Sequence, residues 1–194
     1  MQQSERQKEI IETALNLIDT KGIQGLTIKN LSKAIGISEP AIYRHFESKN
    51  DIVLSLLDNF KELADMLAGL MMGHQGSALE KITILIEKMT MLFKENPPLV
   101  SVIFSEEIFK NEEILKNRIV EILDTHANTI ENIIKKGQEE GDVRKDIDDK
   151  TLGLMVMGSL RLMVKKWDLK GKNFDLLEAS RNLIDGIGKI LKAQ

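Results

Sequence analysis

Apolar residues recur every three or four positions along almost all of this 194-residue chain, and only three prolines interrupt it. That period marks helices that bury one face, and no segment of useful length alternates as a strand does. From Ser4 to Lys21 the stripe is Ile10, Ile11, Ala14, Leu15 and Ile18, closed by Gly22. It returns from 48 to about 72 through Val53, Leu56, Leu57, Phe60, Leu63, Ala64, Leu67 and Met71, and from about Ala78 to Glu95 through Leu79, Ile82, Leu85, Met89 and Leu92. Pro97 and Pro98 break the pattern; a short apolar helix is expected around Leu99–Phe109, a long one from Asn111 to Glu140, and a final pair over about 149–168 and 174–192. The expectation is an all-α fold of about nine helices.

The rest of the composition narrows the class. The 42% apolar and 29% charged content is that of a globular protein with a core. Without cysteine there is no disulfide, thiolate metal site or thiol nucleophile, which suits a reducing cytoplasm. The start, MQQSERQKEI, lacks the apolar stretch of a leader, and no charge-free run approaches a membrane span, so no membrane partner is expected. The net charge of -3 argues against indiscriminate coating of nucleic acid, yet it is unevenly spread. Residues 1–50 carry seven basic and six acidic side chains, a net of +1, which leaves -4 for residues 51–194.

Between Thr27 and Lys49 the helices become short. Thr27 can cap a helix over Ile28–Ile35 with Leu31 and Ala34 inward, Gly36 supplies a left-handed turn, and Ile37 plugs the junction. Ser38 caps a second helix with Pro40 in its first turn and Ile42 and Phe46 inward; Ser48 and Asp51 open the next in capping-box fashion. This is the pattern of a helix-turn-helix, or of an ordinary helical hairpin. The outward residues separate the two. Glu39, Pro40, Ala41, Tyr43, Arg44 and His45, then Lys49, include the chain's only tyrosine, and Lys29 and Lys33 add charge on the preceding helix. Tyrosine and histidine can reach a phosphate, arginine a guanine edge, and a lysine in a helix's first turn adds to its positive dipole end.

The stretch TIKNLSKAIGISEPAIYRHFESKNDIV resembles the DNA-binding signature of the TetR family of transcriptional regulators, with both halves at the family spacing. FSEEIF and GDVRKDID resemble connectors frequent there. The resemblance implies a three-helix DNA-binding domain over 1–47 and a helical effector-binding and dimerisation domain over 48–194. It implies phosphate contacts for Thr27, Tyr43, His45 and Lys49, and base-edge positions for Ser38, Glu39, Pro40, Ala41 and Arg44; Lys29 joins this DNA-binding set. Glu39 is a departure: an acid is repelled by phosphate, so it either accepts from a cytosine amino group or, the reading preferred here, complements its helix dipole while pointing away from DNA. The implied function is a repressor released from a pseudo-palindromic operator by a small apolar or amphipathic effector. The alternative is an effector-independent structural or cell-division regulator on the same fold. No grouping of residues suggests an enzyme, a cofactor or a resident metal.

The remaining helices supply candidates for sensing and pairing. Six of nine methionines fall on the middle helices, where Met suits either a pocket or ordinary core. Met66, Met89, Phe93, Phe104 and Met155 are the pocket candidates, with Phe109 as a further wall. His126 lies on the apolar stripe Leu115, Ile119, Ile122, Ile130, Ile133; it is a satisfied core histidine, a polar anchor for an apolar effector, or a metal ligand with Glu106 or Glu107. The helix over 149–168 is apolar almost all round and is expected to be buried on two sides. A homodimer with four helices at its interface follows as the economical reading, through Leu160, Val164, Trp167, Leu177, Ser180, Ile184, Ile187 and Leu191. Gly153, Gly158, Gly186 and Gly188 are expected to mark close backbone approaches.

Overall fold

A computed structural model describes residues 3–105 and 112–193. Among these residues there are nine helices: α1 (Glu5–Gly25), α2 (Ile28–Ile35), α3 (Glu39–Tyr43), α4 (Lys49–Gly73), α5 (Ala78–Glu95), α6 (Pro97–Ile103), α7 (Glu113–Glu140), α8 (Asp149–Leu169) and α9 (Leu176–Leu191). The only β pairing described is a single bridge between Val143 and Lys192. The all-α expectation holds. No helix among the described residues is long and apolar enough to cross a membrane.

Local chemistry sets the helix starts. Ser4 and Gln7 form a reciprocal capping box on α1, and Ser77 and Glu80 do the same on α5. Ser48 Oγ accepts from the Asp51 amide at 3.2 Å and donates to the Asp51 carboxylate at 3.0 Å, opening α4. Asp148 accepts from the Thr151 hydroxyl and the Thr151 amide on α8, and Asp175 from the Leu177 and Glu178 amides on α9. These hydrogen bonds favour the ionised carboxylates and hold both acids below the ordinary aspartate range. Two ends differ from expectation. Gly22 is non-helical, yet α1 resumes beyond it to Gly25. After the proline pair the helix begins on Pro97 itself, where a missing amide hydrogen costs nothing.

The chain packs as two compact units, 1–62 with 97–121, and 63–96 with 122–194. In the first, α1 lies against α2 and α6. Ile10, Ala14 and Ile18 on α1, Leu31 on α2, Ile42 on α3 and Val100 on α6 are buried. Arg118 Nε to Asp58 at 3.2 Å and Lys61 to Glu121 at 3.6 Å tie the start of α7 to α4 within this unit. In the second, α9 packs against α5 and α8, and Ile82, Ile86, Ile134, Leu152, Val156 and Leu191 share one core. The segment after α7 is pinned to the C-terminal end: the Arg144 amide donates to the Leu191 carbonyl at 2.8 Å, and Gln138 Nε2 donates to the Arg144 and Ile147 carbonyls.

The last two helices correct several expectations. Helix α8 is buried on one side only, through Leu152, Gly153, Val156, Val164 and Trp167, while Leu154 and Leu162 are 66% and 69% exposed. Val164, Trp167, Ser180, Ile187 and Leu191 are buried within their own chain, so they are core and not a free surface. Leu160, Leu177 and Ile184 are half-buried. Of the four glycines expected at close approaches, only Gly153 packs tightly, its missing Cβ lying 3.1 Å from Glu131 Cγ; Gly158, Gly186 and Gly188 face open space.

Candidate DNA-reading surface and effector cavity

The segment from Thr27 to Lys49 folds as a helix-turn-helix because each junction is locally specified. Thr27 Oγ1 accepts from the Asn30 amide at 3.0 Å and starts α2. Gly36, at φ 79° and ψ 31°, ends it in the left-handed region where a side chain is strained, and the Gly36 and Ile37 amides both donate to the Ser32 carbonyl. The chain thereby leaves α2 in a tight turn before α3 begins. Ser38 then stands at the N-cap of α3, but its side chain makes no capping bond, so its hydroxyl is uncommitted. Ile42 and Phe46 point into the core, as expected. Ala34, expected inward, is exposed, and Ile37 is half-buried.

What remains outward is a polar band. Thr27, Lys29, Ser38, Glu39, Pro40, Tyr43, Arg44 and Lys49 are exposed, and Ala41 and His45 are half-buried beside them. All ten residues expected to meet DNA are thus at least partly exposed. Tyr43 is 51% exposed, unusual for a large ring with no partner to cover it. Among the described residues, Lys29, Lys33, Arg44 and Lys49 form no ion pair or side-chain hydrogen bond. Elsewhere many cations are matched, as in Arg6–Glu9, Arg118–Asp58 and Arg144–Asp146. Unmatched cations around a short helix form a surface that can replace phosphate counterions.

The second unit contains an apolar cavity of about 70 Å³ between α4, α5, α7 and α8. Ala64, Leu67 and Ala68 line it from α4, Leu85 and Met89 from α5, His126 and Thr129 from α7, and Met157 and Leu160 from α8. Burial pushes the His126 imidazole below its ordinary pKa, with Asp65 pulling weakly the other way, so the ring is held neutral. A neutral ring carries one donor nitrogen and one acceptor nitrogen.

Of the sequence candidates, Met89 and His126 line this cavity. Met66 and Met155 are exposed on other faces of their helices, Phe93 is buried outside the wall, and Phe104 lies in the first unit. Glu106, Glu107 and Phe109 lie outside the described residues. The wall residues that sequence reasoning missed are mostly small or aliphatic. An Ala64/Ala68 pair at i, i+4 on an apolar stripe was the available signal, since two alanines on one face leave room.

Comparison with known proteins agrees with this division of chemistry. Residues 10–56 match the family model described as bacterial regulatory proteins of the tetR family, and residues 59–187 match the C-terminal region of YsiA-like proteins. The fatty acid metabolism regulator protein of Bacillus subtilis is 24% identical over 180 residues, covering 91% of each chain. The nucleoid occlusion factor SlmA of Vibrio atlanticus is 23% identical over 158 residues, covering 81% of each. The crystal structure of the transcriptional regulator FadR from Bacillus subtilis in complex with stearoyl-CoA superposes with a TM-score of 0.81 at 22% identity, covering 95% of this chain and 98% of that one. With a helix-turn-helix built as described and family models spanning most of its length, the chain belongs to the TetR family of DNA-binding transcriptional regulators.

Proposed function

We propose that this regulator is a dimeric repressor, released from a pseudo-palindromic operator when a largely apolar effector enters the cavity of the second unit. The observation that carries this reading is the wall of that cavity, aliphatic throughout except for the neutral imidazole of His126 and the Thr129 hydroxyl. In this division of labour residues 1–47 read DNA and residues 48–194 sense and dimerise. Arg44 reads a base edge, Tyr43, His45, Thr27 and Lys49 hold phosphates, and Glu39 complements its own helix dipole.

Helix α4 carries the coupling. Lys49 is its first residue, and Ala64, Leu67 and Ala68 further along belong to the cavity wall. A cavity of about 70 Å³ is well below the roughly 300–1,000 Å³ of small-molecule pockets, so an effector enters by parting the helices. Because one of those helices is α4, the filled and empty states differ in affinity for DNA. That a relative of this fold holds stearoyl-CoA supports an effector with a long apolar portion.

The dimer uses the outer face of α8. Leu154, Met155 and Leu162 are exposed there around Gly158, which has nothing within 4 Å of its missing Cβ and so admits a partner helix at close range. Leu177 and Ile184 on α9 contribute their exposed edges. The two-fold axis of such a pair sets two recognition helices on successive turns of one DNA face.

Footprinting upstream of the chain's own gene would identify an operator, and titration of decanoate into the operator complex would then test release. Operator affinity falling as the probe is added supports the reading, whereas equal probe affinity for free and DNA-bound protein rejects it. The small cavity, together with the nucleoid occlusion factor among the relatives, supports a second reading as a DNA-bound factor with no effector. Unchanged operator binding across a panel of apolar probes would favour it.

A further inference from the structure

A second cavity, about 60 Å³, lies about one helical turn beyond the first along the same three helices. On α4 the wall passes from Ala68 to Met72, on α5 from Ile82 to Ala78, and on α7 from Ile130 to Ile133. Each step is four residues or fewer on one helix face, so the two cavities are successive stations of a single seam. Their chemistry differs. The first is aliphatic around His126, while the second adds Lys81, Asn132, Lys136 and Glu140.

Lys81 is the unusual member. It is only 8% exposed, and among the described residues it has no ion pair and no side-chain hydrogen bond. Its methylenes are covered while its ammonium keeps contact with water, as a long cationic side chain does when it runs along an apolar wall. The other cation in the wall is already matched, Lys136 reaching Glu140 at 3.7 Å, so the uncompensated charge of the cavity is that of Lys81. The backbone there is drawn in tightly. A Cβ on Gly137 would stand 2.4 Å from Ala78 Cβ and 2.7 Å from Val143 Cγ2, so only glycine lets the start of α5 and the turn after α7 close around this end.

We propose that the second cavity is the anion-binding end of a two-part ligand site, and that the effector is an amphipathic oxyanion. Its apolar chain occupies the cavity at His126, and its carboxylate or phosphate head pairs with Lys81, with the Asn132 amide and the Lys136 ammonium at the mouth. This rests on the reading of the first cavity as the effector pocket. It adds the ligand class and the residue that recognises its charge. It also gives a partner to a cation that has none among the described residues.

The test uses the full-length protein and probes of one chain length, decanoate, decyl phosphate and decan-1-ol, with inorganic phosphate alone as a fourth arm. Affinities come from calorimetry and from the shift in melting temperature. At least one ten-carbon anion should bind the wild type tenfold or more tightly than the alcohol, and the tighter anion identifies the head group. Lys81→Met, which keeps the apolar stem, should bind all three as weakly as the alcohol, and Lys81→Arg should restore the preference. Equal binding of anion and alcohol by the wild type, or a preference that survives in Lys81→Met, overturns the proposal. If no ten-carbon probe binds, the apolar-pocket reading fails by itself. In that case phosphate that stabilises the wild type and not Lys81→Met sustains the anion subsite, and phosphate acting on both proteins or on neither overturns it.

Discussion

Residues 27–49 set their distinctive chemistry outward on a dry scaffold, whereas the cavity of the second unit keeps its one titratable wall residue inside an aliphatic shell. In the first region Leu31, Ile42 and Phe46 are sealed and Tyr43, Arg44 and Lys49 are spent on the surface. In the second, Ala64 and Ala68 leave space unfilled and His126 is held neutral within it. A site for a large charged polymer requires a rigid base with exposed cations. One for a small apolar molecule requires incomplete packing. The same physical acts, deleting or adding a few methylenes, should therefore have opposite consequences in the two places.

The largest expected effect tests the scaffold. Ile42 is fully buried, and Ile42→Ala should cost about 2–5 kcal/mol through lost transfer energy and a residual cavity. Thermal unfolding would show the loss, and binding to specific and random DNA should fall together. A melting temperature within a degree of wild type would break the claim that the head depends on this plug.

Next comes the outward band. Arg44→Ala should leave stability unchanged and cost about 1–3 kcal/mol of operator affinity, with relaxed preference at one base position. Lys49→Ala should weaken binding to all sequences alike and lower the salt slope by about 1. Equal losses on operator and random DNA for Arg44→Ala would remove its base-reading role.

A third experiment inverts the first. Ala68→Leu should fill the cavity and stabilise the fold by about 0.5–2 kcal/mol while abolishing the response to decanoate. Destabilisation instead would mean that the space is already packed in solution.

The smallest effect is titration of His126. Its folded pKa is depressed by burial, so above about pH 6.5 both folded and unfolded forms are neutral and the ring costs nothing. As pH falls below that value the unfolded chain takes up a proton that the folded one resists, and stability declines. Melting temperatures at pH 7.5 and 5.5 should differ more for wild type than for His126→Leu; an identical difference would show that Asp65 offsets the burial fully.

The same contrast explains what could be read from sequence. The outward polar band was legible because its signal is chemical: a lone tyrosine, arginine and histidine around a short helix, with buried Ile42 and Phe46 defining the inward side. Helix starts were legible because Ser4, Thr27, Ser48 and Ser77 cap locally. The cavity was not, since a helical stripe fixes the period but not the rotation of one helix against its neighbours. Met66 and Met71 are both plausible inward residues of α4, and only Met71 is buried. Helix α8 poses the same problem more sharply. Two of its faces are apolar, and nothing local says that Val156, Val164 and Trp167 turn inward while Leu154 and Leu162 stay out.

The kink of α1 and its cover bear on how such regulators can be recombined. The apolar stripe of α1 that supports the helix-turn-helix lies against α6, whose residues come from the other side of a 34-residue excursion into the second unit. The DNA-reading head is therefore not a transferable cassette. A chimera cut after residue 56 would strip Val100, Val102 and Ile103 from beneath α1 and present Ile10, Ile11 and Ala14 to foreign side chains. Exchange of specificity between paralogues is expected to succeed by replacing the outward residues of α3 in place, or by carrying both 1–62 and 97–121 together. Drift in operator sequence can then proceed one exposed side chain at a time, whereas wholesale exchange of heads must cross a barrier set by the buried face of α6.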